Sequence, residues 1–132
     1  MASKAAAVID ASALAAVVFG EPEADSLTLD FSVDQLIASP MLPHEFANIC
    51  VKKHQRAGLS VHDVLLALRD FESLGIATEP VSSSETVAAA IRFGLSSYDA
   101  GYLWLALIKD LPLLTLDKKL AAAYSKALKE IA

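Results

Sequence analysis

Short apolar runs alternate along this chain with longer stretches whose apolar residues recur at helical spacing. The first run, residues 5–9, shows no polar–apolar alternation and ends at Asp10. A strand of that kind is covered on both faces, as in a parallel sheet. Residues 35–39, stopped by Pro40, read as a second strand, and residues 76–81, with Pro80 near the end, as a third. Residues 113–116 read as a fourth. Helical patterns fill the gaps. Residues 12–19 form a helix broken at Gly20-Glu21-Pro22, and residues 23–30 are expected to open a second one.

Pro43 suits a first helical turn. From there to residue 56, Phe46, Ile49 and Cys50 lie on one apolar face, and Gly58 is a terminator. Ser60 with Asp63 gives a capping-box pattern for a helix through residue 74, with Val64, Leu65, Leu68 and Phe71 on one side. Residues 84–93 form a helix closed by Gly94. Ser96 or Ser97 caps the next, which runs to residue 109 or 110 and is apolar nearly all round, so it should be deeply buried. Residues 117–131 form the last helix. Strands alternating with helices predict an α/β fold, helices flanking a central, mostly parallel sheet. With 132 residues and no linker or internal repeat, one domain over 1–132 is expected.

Composition agrees with a globular chain: 55% of residues are hydrophobic and 20% charged, which supplies a core and argues against disorder. No apolar run approaches the roughly 18 residues of a membrane span. Asp10 interrupts the first apolar run too early for a signal peptide. An intracellular, cytoplasmic protein with no membrane partner is the expectation. Cys50 is the only cysteine, so an internal disulfide is impossible and a thiolate metal site is not expected. It sits on a helical apolar face and reads as core.

The candidate chemistry lies in four acids. Asp10 ends the first strand and Asp117 the fourth, while Glu45 and Asp99 fall in the first turns of their helices. Singly, each has a plain structural explanation: Asp10 and Asp117 as helix caps, Asp99 as the capping-box acid for Ser96, and Glu45 as a favourable charge at a helix N-terminus. Together they carry more. Parallel strands bring their C-terminal ends to one sheet edge, where ligand sites form in such folds. All four acids start from that edge. Four carboxylates side by side need compensation, and an all-oxygen donor set suits Mg²⁺ or Mn²⁺. Such an ion can activate a water and stabilise charge on a phosphoryl oxygen, which suits phosphodiester hydrolysis.

The motifs Val8-Ile9-Asp10-Ala11-Ser12-Ala13-Leu14, Glu45-Phe46-Ala47-Asn48, Tyr98-Asp99-Ala100 and Leu116-Asp117 occur in order over nearly the whole chain. This series resembles PIN-domain ribonucleases, and most of all the toxin component of VapBC-type toxin–antitoxin pairs. The resemblance implies a three-layer PIN-like sandwich with a four- or five-stranded sheet. It implies a Mg²⁺- or Mn²⁺-dependent endoribonuclease acting on structured or single-stranded RNA. It maps Asp10, Glu45 and Asp99 onto the family's core metal-site acids and Asp117 onto a more variable fourth. Ser12 and Thr115 match positions that orient acids or water, and Asn48 a polar position on the Glu-bearing helix. The resemblance also implies a homodimer and a small antitoxin bound near the site. Two features depart from the pattern: Ala11 stands where Thr is frequent, and the family's short strand after the last helix is not evident.

Lys52, Lys53, His54 and Arg56 follow Glu45, and Lys118 and Lys119 follow Asp117. Lys52, Lys118 and Lys119 are candidate contacts to RNA phosphates, the others a solvated helix face. The net charge of −5 does not advertise a nucleic-acid binder, but four acids in one cleft account for most of it. His44, His54 and His62 lack zinc spacing, and Tyr102 and Trp104 read as core. No Ser-His-Asp order or Gly-rich phosphate loop is present, and an aspartyl-nucleophile phosphotransferase would want an acid where Ser12 stands. Two readings outside the toxin class stay open. One is a non-catalytic module whose acidic cleft docks an Arg-rich segment. The other is a housekeeping RNA-processing nuclease. The helical surface over residues 43–74 carries enough apolar area for a two-fold dimer.

Overall fold

The structure is a computed structural model that describes residues 6–27 and 32–131. Four strands, β1 (Ala7–Ile9), β2 (Leu36–Ala38), β3 (Ala77–Thr78) and β4 (Leu113–Leu114), form one sheet in the order β3-β2-β1-β4. Every pairing is parallel. In register, Val8 of β1 lies between Ile37 of β2 and Leu113 of β4. β1 is central and inaccessible on both faces, which is why its sequence shows no alternation.

Among the described residues six α-helices flank the sheet: α1 (Ala11–Val18), α2 (Leu42–Ala57), α3 (Val61–Leu74), α4 (Ser83–Phe93), α5 (Ser97–Lys109) and α6 (Lys118–Ile131). α1, α2 and α3 pack on one another, and α5 packs on both α4 and α6, so that helices flank the sheet. On one side the rings of Phe19, Phe46 and Phe71 stack in series from α1's C-terminus through α2 to α3. On the other, α5 packs against β1 and buries Tyr102, Leu103 and Leu105 completely. α5 is less buried than its composition predicts, because Ile108 near its end is exposed.

The helix boundaries follow local chemistry. Ser60, Ser82 and Ser96 each accept the N–H three residues on, so Ser96 rather than Ser97 caps α5. Gly58 ends α2 at φ 74°, a conformation that costs glycine no Cβ clash. Asp110 holds the same place after α5 at φ 54°, where a short polar side chain is tolerated.

Three elements differ from expectation, one of them the fourth strand, which covers Leu113–Leu114 rather than residues 113–116. The helix expected over residues 23–30 is instead a 3-10 turn at Pro22–Ser26, and residues 28–31 lie outside the described residues. Glu23, Ala24, Asp25 and Ser26 offer no apolar stripe to bury, and Asp and Ser compete with helical backbone bonds. The third strand shrinks to Ala77–Thr78, both exposed on the sheet edge. Glu79 N–H still reaches Ala38 O at 3.0 Å, and Pro80, lacking an N–H, ends the ladder. Among the described residues no strand follows α6, and no helix is long and apolar enough to cross a membrane.

Candidate active site

The strand order places a topological switch at β1: the chain moves from β1 to β2 and β3 on one side, then to β4 on the other. In open parallel sheets the crevice at such a switch receives ligands. Asp10 leaves β1 there, and Thr115 and Asp117 follow β4 there. The first turns of α2 and α5 bring Glu45 and Asp99 to the same edge. All four acids line one open cleft of about 390 Å³, with Ser12, His44, Asn48, Lys52 and Tyr98 among the other residues around it.

Asp10 is the most firmly held. It is 3% exposed. Its Oδ1 accepts from the Ser12 hydroxyl at 2.8 Å and from Ala13 N–H at 2.9 Å, and its Oδ2 accepts from the Thr115 hydroxyl at 2.5 Å. Ser12 Oγ in turn accepts Leu116 N–H at 3.1 Å, and Thr115 Oγ1 accepts Asp117 N–H at 3.0 Å. The two hydroxyls thus tie the β1 end to the β4 end and fix one carboxylate against both. Asp117 Oδ1 accepts Leu120 N–H at 2.9 Å, so Asp117 caps α6 just as Asp10 caps α1. The capping role and the place in the cleft coexist in both residues.

Burial raises the proton affinity of Asp10, against the opposing pull of Thr115, Ala13 and Ser12, and nearby Asp117 raises it further. Burial likewise raises Asp99, with Asp117 and Asp10 adding to it and Ser96 and Lys119 opposing. Glu45 moves most: burial pushes its pKa to about 7, the Tyr102 hydroxyl opposes, and Asp99 and Asp10 add to the rise. Its Oε1 is buried without a hydrogen-bond partner, as is the Tyr102 hydroxyl oxygen. The two groups lie near enough to influence each other without closing a bond of good geometry.

This electrostatic state has a consequence for stability. Carboxyls whose folded pKa lies above the unfolded value stabilise the fold fully at low pH, and that contribution disappears as pH rises through the folded pKa. For Glu45 the window runs from the ordinary 4.5 up to about 7. The thermal midpoint of cation-free protein should therefore fall as pH rises across that window. Glu45→Gln should make the fall shallower. A midpoint that climbs through the window contradicts the burial and like-charge crowding that raise Glu45.

The structure places the other predicted residues as follows. Asn48 and Lys52 line the cleft, and Thr115 lies behind Asp10 as a support. Lys118 and Lys119 are both exposed and neither lines the cleft, although Lys119 is near enough to lower the proton affinity of Asp99. Lys53 has a structural role: its ammonium binds Glu21 at 2.5 Å and stands over the Phe19 ring. Sequence reasoning passed over His44 and Tyr98 as cleft residues and Tyr102 as the neighbour of Glu45. Tyr102 lies three residues after Asp99, on the same helical face, which was the available signal.

The donor set fits a hard divalent cation. All donors are oxygens, and one of them, Glu45 Oε1, is buried and unpartnered. Among the described residues no three acidic, histidine or cysteine side chains close into a ready chelate. Mg²⁺ does not require one, since it keeps several waters and is held by one or two carboxylates.

The site is thus an acidic cleft at the switch point of a parallel α/β sheet. The PIN domain family model matches residues 7–126, and the chain belongs to that family. PIN domains are generally nucleases and generally use divalent metals. The chain is similar in fold to PAE2754 from Pyrobaculum aerophilum, known from its crystal structure. The TM-score is 0.72 at 22% sequence identity, over 96% of this chain and 89% of that one. No curated protein matches the chain.

Proposed function

We propose that this protein is a Mg²⁺- or Mn²⁺-dependent endoribonuclease, the cytoplasmic toxin of a toxin–antitoxin pair. The observation that carries the nuclease reading is the convergence of Asp10, Glu45, Asp99 and Asp117 on one cleft, with three of them raised in proton affinity. Such a set stores repulsion that a cation relieves. Asp10, Glu45 and Asp99 would hold the ion, with Asp117 at its side. A bound divalent ion supplies Lewis-acid stabilisation of phosphoryl charge and an activated water.

The chain's own residues do the rest. Ser12 and Thr115 hold Asp10 in one orientation, so a ligand meets a carboxylate already in place. Lys52 on the cleft wall offers a cation to a neighbouring phosphate, and Asn48 beside it offers an amide. The toxin assignment rests on the motif resemblance. It gains physical sense from the cleft, because an Arg-containing antitoxin segment would satisfy the same acids by bidentate pairing. A homodimer through α2 and α3 is supported by Val51, Val61 and Leu65, each half exposed or more around one apolar groove.

Cation binding tests the reading apart from catalysis. Saturating Mg²⁺ at neutral pH should raise the thermal midpoint of the wild-type chain by several degrees, since a ligand at about 100 times its Kd stabilises by about 2.7 kcal/mol. Asp10→Asn should remove most of that rise. A wild-type midpoint indifferent to both Mg²⁺ and Mn²⁺ argues against the metal site.

A further inference from the structure

We propose that a second, basic groove beside the acidic cleft is a binding track for the backbone of a single-stranded RNA, formed by α6 and the C-terminal end of α4. For its ligand the inference rests on the nuclease reading above. The groove has a volume of about 220 Å³ and is lined by Arg92, Phe93, Lys119, Ala122, Ala123 and Lys126.

Charge placement supports the track. The chain as a whole carries −5, yet α6 has four lysines against one glutamate. Lys119, Ala122, Ala123 and Lys126 share one face of that helix at i, i+3, i+4 and i+7 spacing. Lys119 and Lys126 thus stand at the two ends of the groove with small alanines between them, which leaves the floor low. Seven helical residues span about 10 Å, room for roughly three phosphates of a stacked strand. Arg92 adds a third cation from α4, 61% exposed in its side chain. It is paired with Glu130, and exposed pairs of this kind are weak enough for a phosphate to displace.

The groove and the cleft share no lining residue but lie close together at Lys119. Lys119 belongs to the first turn of α6, directly after Asp117, and it is close enough to Asp99 to lower that carboxyl's proton affinity. Only the Gly94–Ser96 turn separates Phe93 from the start of α5 that carries Asp99. A strand that leaves the cleft past Asp99 would meet Lys119 first and Lys126 further along the same face of α6. Phe93, partly buried between the cations, gives the apolar surface that single-strand grooves combine with charge.

The test is binding of a short labelled single-stranded RNA by the full chain in EDTA, where affinity is read without any metal-dependent cut. Lys126→Glu reverses one groove cation, and Ala122→Glu puts an anion on the floor at an exposed position in a good helix former. Lys109→Glu makes the same charge change as Lys126→Glu at the far end of α5. We expect Lys126→Glu and Ala122→Glu each to weaken binding about tenfold and to lower the salt dependence, and Lys109→Glu to weaken it less than about twofold. Equal losses in Lys126→Glu and Lys109→Glu would reduce the effect to net charge and overturn the track. RNA affinity unchanged in both groove variants would also overturn it and leave the groove to an acidic protein segment. Neither result depends on cleavage, so failure of the track is distinct from failure of the nuclease reading.

Discussion

Asp99→Asn should leave the protein folded and reduce RNA cleavage by about a thousandfold or more, the scale of losing a group that acts on charge at the reacting centre. The substitution keeps size and shape. The cap of α5 survives it, because Ser96 Oγ accepts the backbone N–H of Asp99. Burial and the neighbouring Asp117 and Asp10 already disfavour the ionised form of Asp99. Removing that charge should therefore raise the stability of the cation-free chain slightly while removing an oxygen anion from the site. The combination of lost cleavage with an equal or higher thermal midpoint is the signature to look for. Lost cleavage with a collapsed fold would show only that Asp99 is structural.

Phe46→Ala should be the most costly single change in the core, destabilising by about 3–5 kcal/mol. Phe46 is fully buried, with its ring centroid 6.0 Å from Phe19 and 4.3 Å from Phe71. It is the middle of three stacked rings that join α1, α2 and α3, so truncation leaves a cavity that no single neighbour can fill. Phe46 also follows Glu45 directly, and its anchorage sets where the first turn of α2 presents that carboxylate. Chemical denaturation should show the loss as a lower midpoint with an unchanged slope. Phe46→Leu, which keeps most of the volume, should cost about 1–2 kcal/mol. A loss below about 1 kcal/mol for the alanine variant would mean that the ring stack does not anchor α2.

Much of this architecture was legible in the sequence because strong local signals agreed with the global fold. The unbroken apolar run ending at Asp10 marked a strand buried on both faces, and β1 is the central strand. Ser60, Ser96, Gly58, Gly75 and Gly94 set the bounds of α3, the start of α5 and the ends of α2 and α4. The parallel arrangement followed from alternation of elements and carried the four acids to one edge. Residues 23–30 misled because an acidic, polar segment without an apolar stripe has nothing to bury, and a 3-10 turn satisfies Pro22–Ser26. The third strand was overstated because its exposed edge stops pairing at Pro80.

Within the cleft, residue type announced the acids but not their supports. That Ser12 and Thr115 bind opposite oxygens of one carboxylate is a property of the β1–β4 register, across about a hundred positions of chain, and no local pattern encodes it. Tyr102 was hidden for a different reason. A fully buried tyrosine on an apolar helix is ordinary core, and only the orphaned oxygens of Tyr102 and Glu45 show that its polar end faces the site. The basic face of α6 was visible as separate lysines. Its pairing with Arg92 across a groove needed the packing of α4 beside α6.

RNA cleavage by the four-acid cleft, as proposed, needs a divalent cation. The most direct test incubates purified, partner-free protein with a labelled RNA containing both stems and loops, in Mg²⁺, in Mn²⁺ and in EDTA, beside Asp99→Asn. Internal cuts that need the cation and vanish in the variant are the expected result. Cuts that persist at full rate in EDTA or in Asp99→Asn would contradict it.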